Sequence, residues 1–230
     1  MRRISRMVGL AALGATMIAA APQGKEPMAD VPLATLQHVH YRSGNAFSST
    51  SLEVLPSGRS VLAIHTDFAL SPRCRDLTDP ERAELARLVK QFPTGRKVAA
   101  PSEARTPAGP AQTVVTVVEV TYRLQRYDKT RYCVDTLEKP TGEFEVAADS
   151  APAVKQMEEH LRTLVERAER EGQKCPADDR MAEVSVEVGK PLSLGGVRTT
   201  LREVQRAYVV VEGPAGKKMR VDVWEAEPEK

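Results

Sequence analysis

VVTVVEVTYRL, residues 114–124, is the stretch whose reading decides the fold. Val114, Thr116, Val118, Val120, Tyr122 and Leu124 fall on one face of a strand at period two. Val115, Val117, Glu119, Thr121 and Arg123 fall on the other, which turns polar after Val117. The pattern predicts one face buried along much of the strand. Tyr127-Asp128-Lys129-Thr130 reads as a four-residue turn, and residues 131–137 return as the partner strand of a long hairpin.

Upstream, residues 36–42 have strand character, with Leu36, His38 and His40 on one face. Ser43–Thr50 is a Gly/Asn/Ser loop. Residues 52–55 and 60–64 form a hairpin around Pro56-Ser57-Gly58. Thr78-Asp79-Pro80-Glu81 is a helix start: Thr78 caps, Glu81 completes a capping box and Pro80 fits the first turn. Leu85, Leu88, Val89 and Phe92 recur at helical spacing up to Pro93, and residues 93–112, rich in Pro and Gly, read as a long loop. Beyond the hairpin, Asp149 or Ser150 caps a second helix with Pro152 in its first turn. Its apolar stripe is Val154, Met157, Leu161, Leu164, Val165 and Ala168, and Gly172 ends it. Residues 173–182 read as a linker. Five short strands follow, at 183–188, 191–194, 197–204, 207–212 and 218–224.

The expected architecture is α+β: an antiparallel sheet with two helices on one face, followed by a small all-β C-terminal module. The expected boundaries are a signal peptide at 1–21, a flexible lead-in at 22–34, the α+β domain at 35–175 and the β module at 176–230. The leader follows from basic Met1–Arg6, uncharged apolar Met7–Ala20 and small Ala19-Ala20-Ala21. The apolar run is short of the about 20 residues a bilayer span needs, so an exported protein, periplasmic or extracellular, without stable membrane insertion is expected. The chain carries 33 Lys+Arg and 31 Asp+Glu, net +2. Arg2, Arg3 and Arg6 lie in the leader, which has no acidic residue, so 30 cations face 31 anions in the remainder, net −1. Nucleic-acid binding driven by bulk charge is excluded on that balance.

The chain has three cysteines, Cys74, Cys133 and Cys175, and no CxxC spacing. In an oxidising compartment this implies one disulfide and one leftover thiol. If each helix runs antiparallel to the strand before it, all three cysteines fall at one end of the first domain. A four-residue hairpin turn then puts Cys133 on the face away from the helices. That favours Cys74–Cys175, both in loops, with Cys133 free.

HExxH, GxSxG and glycine-rich phosphate loops are absent, so the sequence points to no enzyme and no cofactor. His38 and His40, two apart on a strand, can reach one metal, but a site needs further ligands. Glu53 or His65 supplies one only in a favourable sheet register; otherwise the pair is structural. His160, beside Glu159 and Leu161, reads as a partly exposed helix residue. Arg123 and Arg126, near the tip of the long hairpin, and the loop Ser43-Gly44-Asn45-Ala46-Phe47 are candidate protein-binding surfaces.

The order of elements carries one resemblance. A strand runs into Tyr41-Arg42-Ser43-Gly44, a helix runs from Leu77-Thr78-Asp79-Pro80-Glu81 to Leu88-Val89, and a Pro/Gly loop, a Val-rich strand pair and a final helix follow. Over about residues 36–170 this resembles emfourin-type proteins, inhibitors of protealysin and other thermolysin-like metallopeptidases. Where those proteins tend to have Ser-Gly-Gly, this chain has Ser43-Gly44-Asn45. The resemblance implies a non-enzymatic protein whose partner is a secreted metallopeptidase, occluded by the 43–47 and 93–112 loops and the hairpin. Two further readings stand beside it. One is a structural or assembly component of the cell envelope that binds through its C-terminal strands. The other is a metal binder or hydrolase built on His38 and His40.

Overall fold

The computed structural model describes residues 31–45, 48–66, 69–70, 72–98, 111–127, 131–175 and 183–225. The expected signal peptide and Phe47 lie outside them. The first strands are β1 (Thr35–Gly44), β2 (Ser49–Val54), β3 (Arg59–Thr66), β4 (Ala69–Leu70) and β5 (Arg73–Asp76). Helix α1 (Asp79–Gln91), strand β6 (Gly95–Lys97), the long pair β7 (Gln112–Arg126) and β8 (Tyr132–Glu145), and helix α2 (Pro152–Glu171) follow. The remainder is β9 (Gln173–Lys174), β10 (Glu183–Val184), β11 (Pro191–Leu194), β12 (Val197–Val204), β13 (Tyr208–Glu212) and β14 (Lys218–Glu225).

β7 is the spine of the sheet. On one edge β1 pairs with it from Gln112 to Thr121, and β14 then takes over, in parallel, from Arg123 to Arg126. On its other edge β8 pairs antiparallel from Val114 to Arg126. The order β11-β12-β13-β14-β7-β1-β2-β3-β5-β9 makes one sheet, with β6 and β10 on the outer side of β8. The sheet is mixed rather than antiparallel, because β14·β7 and β6·β8 are parallel.

The alternation of β7 is divided between two cores. Val115 and Val117 point to the helices, where they join Val39, Tyr41, Leu52, Val54 and Leu62 with Leu85 and Leu88 of α1 and Phe92 at its C-cap. All six residues of the α2 stripe are buried in that core. Val118, Val120, Tyr122 and Leu124 point the opposite way, into a core shared with Leu192, Leu194, Leu201, Val209, Val211 and Val221. The change of face coincides with a bulge in β8, where Gly142 faces Val117 but Pro140 faces Val118. A bulge sharpens local twist, which suits a strand whose covered side changes there.

This arrangement revises the C-terminal module. Its strands exist close to the expected positions, yet they share β7 with the helical part and sit in one sheet with it. β10 pairs with β8 rather than with its sequence neighbours. Of the expected flexible lead-in, the described residues 32–34 are held to the fold: Ala34 is buried in the second core and Arg220 N donates to Pro32 O. Within 93–112, residues 95–97 form β6, and within the linker residues 173–174 form β9. Residue Ala151, not Asp149 or Ser150, occupies the N-cap of α2; the Ser150 hydroxyl instead donates to Glu145 O.

Cys74 and Cys175 are bridged, with Cα atoms 4.8 Å apart, and Cys133 is free. The cysteines do not all share one end. Cys74 lies, strand by strand, level with Thr116 of β7, whereas Cys133 faces Gln125. Nine residues of strand separate those levels, about 30 Å. The turn is also one residue longer than expected, since Arg126 pairs with Tyr132. That extra residue moves Cys133 to the face that carries Val115 and Val117, by the period-two rule.

Beside the disulfide, α1 is locked to α2 through Glu81, whose side chain is 7% exposed. Thr78 N donates to Glu81 Oε2 at 2.7 Å, Arg75 Nη1 donates to the same oxygen at 2.9 Å, and Arg167 Nη1 reaches Oε1 at 2.7 Å. Arg75 Nε continues to Glu171 at 2.9 Å. Burial alone raises the Glu81 carboxyl, but Arg75, Thr78 and Arg167 outweigh it and bring its pKa from 4.5 to about 2. A depressed folded pKa stabilises the fold above the unfolded value, and that contribution disappears as pH falls through the folded one. Glu81→Gln is therefore expected to cost about 3 kcal/mol at neutral pH. It should also flatten the loss of stability of the native chain between pH 4.5 and 2, measured by urea denaturation. An unchanged slope in the variant would contradict the assignment.

Candidate functional site

On β1, Leu36, His38 and His40 project from the face opposite the helices, as alternation requires when Val39 and Tyr41 fill the helical core. Leu36 packs at the edge of the second core, and the two histidines continue outward from it. His40 is paired with Thr116 of β7 on one side and with Glu53 of β2 on the other. The register needed to bring a carboxylate beside the histidines is thus the one the sheet adopts. His65 lies further along β3, level with Ser49.

His38 is 4% exposed. Its Nδ1 is 3.3 Å from Glu53 Oε1, and its Nε2 is 2.9 Å from the Tyr122 hydroxyl. With the proton on Nδ1 it donates to the carboxylate and Nε2 accepts from Tyr122; with the proton on Nε2 the histidine donates to Tyr122. The His38 and His40 rings are nearly parallel, at 23°, with centroids 6.2 Å apart. One ligand atom from each of His38, His40 and Glu53 lies within 4.8 Å of the others. Among the described residues this is the one such group of His, Cys, Asp or Glu found.

The turn between β11 and β12 closes over this cluster. Gly195 has φ +55°, and a Cβ there would lie 2.2 Å from the Tyr122 hydroxyl oxygen. Only glycine lets the turn approach so closely. The C-terminal strands therefore reach back to the histidines through Tyr122, a residue that the sequence marks only as core-facing.

The other candidates fall elsewhere. Ser43 Oγ and Thr113 Oγ1 are 2.8 Å apart, Gly44 pairs with Gln112, and Asn45 Oδ1 accepts from Ser48 N at 3.0 Å. These three residues sit at the end of the sheet where β7 begins. Arg123 and Arg126 sit where β7 finishes, about 33 and 43 Å from the level of Ser43 by strand rise. Arg123 pairs with Asp135 and lies 4.8 Å over the Trp224 ring; Arg126 lies 5.2 Å over Tyr132 and 3.7 Å from Glu225. Both arginines hold β8 and β14 against β7. His160, half-buried on α2, has its pKa lowered by burial, against the opposing charges of Glu84 and Glu81. No helix among the described residues is long and apolar enough to cross a membrane. No family model, curated protein or solved structure matches the chain.

Tyr122→Phe removes the hydroxyl from buried His38 and leaves the apolar packing in place. The expected cost in urea unfolding is about 1–3 kcal/mol, the usual penalty for a stripped buried polar group. A change below about 0.5 kcal/mol, the size of a neutral surface substitution, would mean that the contact contributes little.

Proposed function

We propose that the chain is an exported, non-enzymatic protein that binds a protein partner, and that the partner is a secreted thermolysin-like metallopeptidase. One observation carries the choice of surface. The Ser43–Asn45 turn is fastened to the start of β7 by the Gly44–Gln112 pairing and the Ser43–Thr113 contact. The described residues Ser43–Asn45 and Gln112, which belong to the two segments that sequence reasoning offers as contact loops, thus meet at one end of a scaffold stiffened by α1, α2 and the disulfide. Exposed residues on a rigid frame are well suited to occlude a cleft without paying a large ordering cost. Arg123 and Arg126 are too distant to share that patch, and their contacts support the sheet. Export is consistent with the Cys74–Cys175 bridge, since such bonds persist in oxidising compartments.

The test uses the whole mature chain, because the helical part alone would expose Val118, Val120, Tyr122 and Leu124. Saturating protein is expected to inhibit thermolysin. Asn45→Lys should weaken inhibition by about tenfold, which is about 1.4 kcal/mol, while Arg123→Ala leaves it in place. Thermolysin that works at its full rate in saturating protein would rule the reading out.

A further inference from the structure

We propose that His38, His40 and Glu53 form a binding site for one zinc-class divalent cation, on the sheet face opposite the helices. The site arises from two features of the sheet. Strand alternation places the two imidazoles on one side of β1, and the β1–β2 register sets Glu53 directly opposite His40. Directly opposed residues have Cβ atoms about 5 Å apart, close enough to share a small ion.

The distances suit coordination. His38 Nδ1 and Glu53 Oε1 are 3.3 Å apart. That is longer than the about 2.7–2.9 Å of a strong charge-assisted hydrogen bond. It matches two ligands on a tetrahedral ion, which lie about 3.4 Å apart when each bond is about 2.1 Å. His40 is half-buried beside them, and one ligand atom from each of the three residues lies within 4.8 Å of the others. The Tyr122 hydroxyl, 2.9 Å from His38 Nε2, supplies the outer hydrogen bond that metal-bound histidines make. Accepting a hydrogen bond from Nε2–H, it fixes the tautomer that leaves the Nδ1 lone pair for the ion. Gly195 keeps that hydroxyl covered. Two imidazoles and one carboxylate favour a borderline cation such as Zn²⁺ over Mg²⁺ or Ca²⁺, which prefer all-oxygen sets. Three protein ligands leave a fourth position for water or for a donor from a partner.

The alternative is that His38 is only a polar link between Tyr122 and Glu53, and titration with Zn²⁺ separates the two. The tag-free mature chain, stripped with EDTA, is titrated by calorimetry with Zn²⁺ and with Mg²⁺, and its melting temperature is followed in each. The expected result is one saturable Zn²⁺ site per chain, a higher melting temperature with Zn²⁺ and no response to Mg²⁺. His40→Ala and Glu53→Gln should each abolish both the binding and the Zn²⁺-dependent rise while the stripped variants still melt cooperatively. Tyr122→Phe should weaken binding roughly 10- to 100-fold, as loss of an outer partner does. His160→Ala, on the other face, should bind as the native chain does. Absence of saturable Zn²⁺ binding by the native chain, or native-like binding by His40→Ala and Glu53→Gln, would overturn the site.

Discussion

A β-strand offers two faces, and β7 has to bury a different one in each half. Val115 and Val117 are covered by the helices, whereas Val118, Val120, Tyr122 and Leu124 are covered by the C-terminal strands. At about 1.5–3 kcal/mol for each large apolar side chain removed from water, neither half can be left uncovered without a large loss. The remaining architecture follows from this demand. β1 borders the first part of β7, then gives way to β14, whose parallel pairing draws the C-terminal strands beneath the second part. Arg123 over Trp224 and Arg126 beside Glu225 fasten that junction.

The same division places the histidine cluster. Residues of β1 that face away from the helices find the edge of the second core beneath Leu36, and further out there is space for polar side chains. His38 and His40 occupy that margin with Glu53 beside them. Tyr122 belongs to the second core but delivers its hydroxyl to His38, so the polar cluster and the apolar core are coupled through one side chain. On the opposite face, the Glu81 network and the Cys74–Cys175 bridge set the relation of the two helices. The chain thus has a structural polar network on the helical side and a chemically equipped one on the other.

Much of the local structure was legible in the sequence. The six-residue stripe of α2 and the Thr78–Glu81 helix start are encoded in spacings of a few residues and are found as expected, whereas β7 keeps the expected buried face only from Val118 onward and buries Val115 and Val117 of the other face before it. What spacing does not encode is register between distant strands. The pairing of His40 with Glu53, which assembles the cluster, depends on the β1–β2 connection. The parallel meeting of β14 with β7 depends on nearly a hundred intervening residues, and no local pattern announces it. Cys133 shows how sensitive such inferences are. One additional residue in the turn changes its face, and the length of β7 carries it far from Cys74. The Cys74–Cys175 pairing was anticipated, although the premise that gathered all three cysteines at one end does not hold.

Native-state hydrogen exchange along β7 tests the shared-strand account most directly. If the two cores stand or fall together, amides of Val115 and Val117 and those of Val120 and Leu124 should exchange only through global opening, with equal free energies and equal dependence on denaturant. Earlier exchange of Val120 and Leu124, together with β11 to β14 and with Val115 and Val117 still protected, would contradict it. The C-terminal strands would then be a separate folding unit resting on the helical domain.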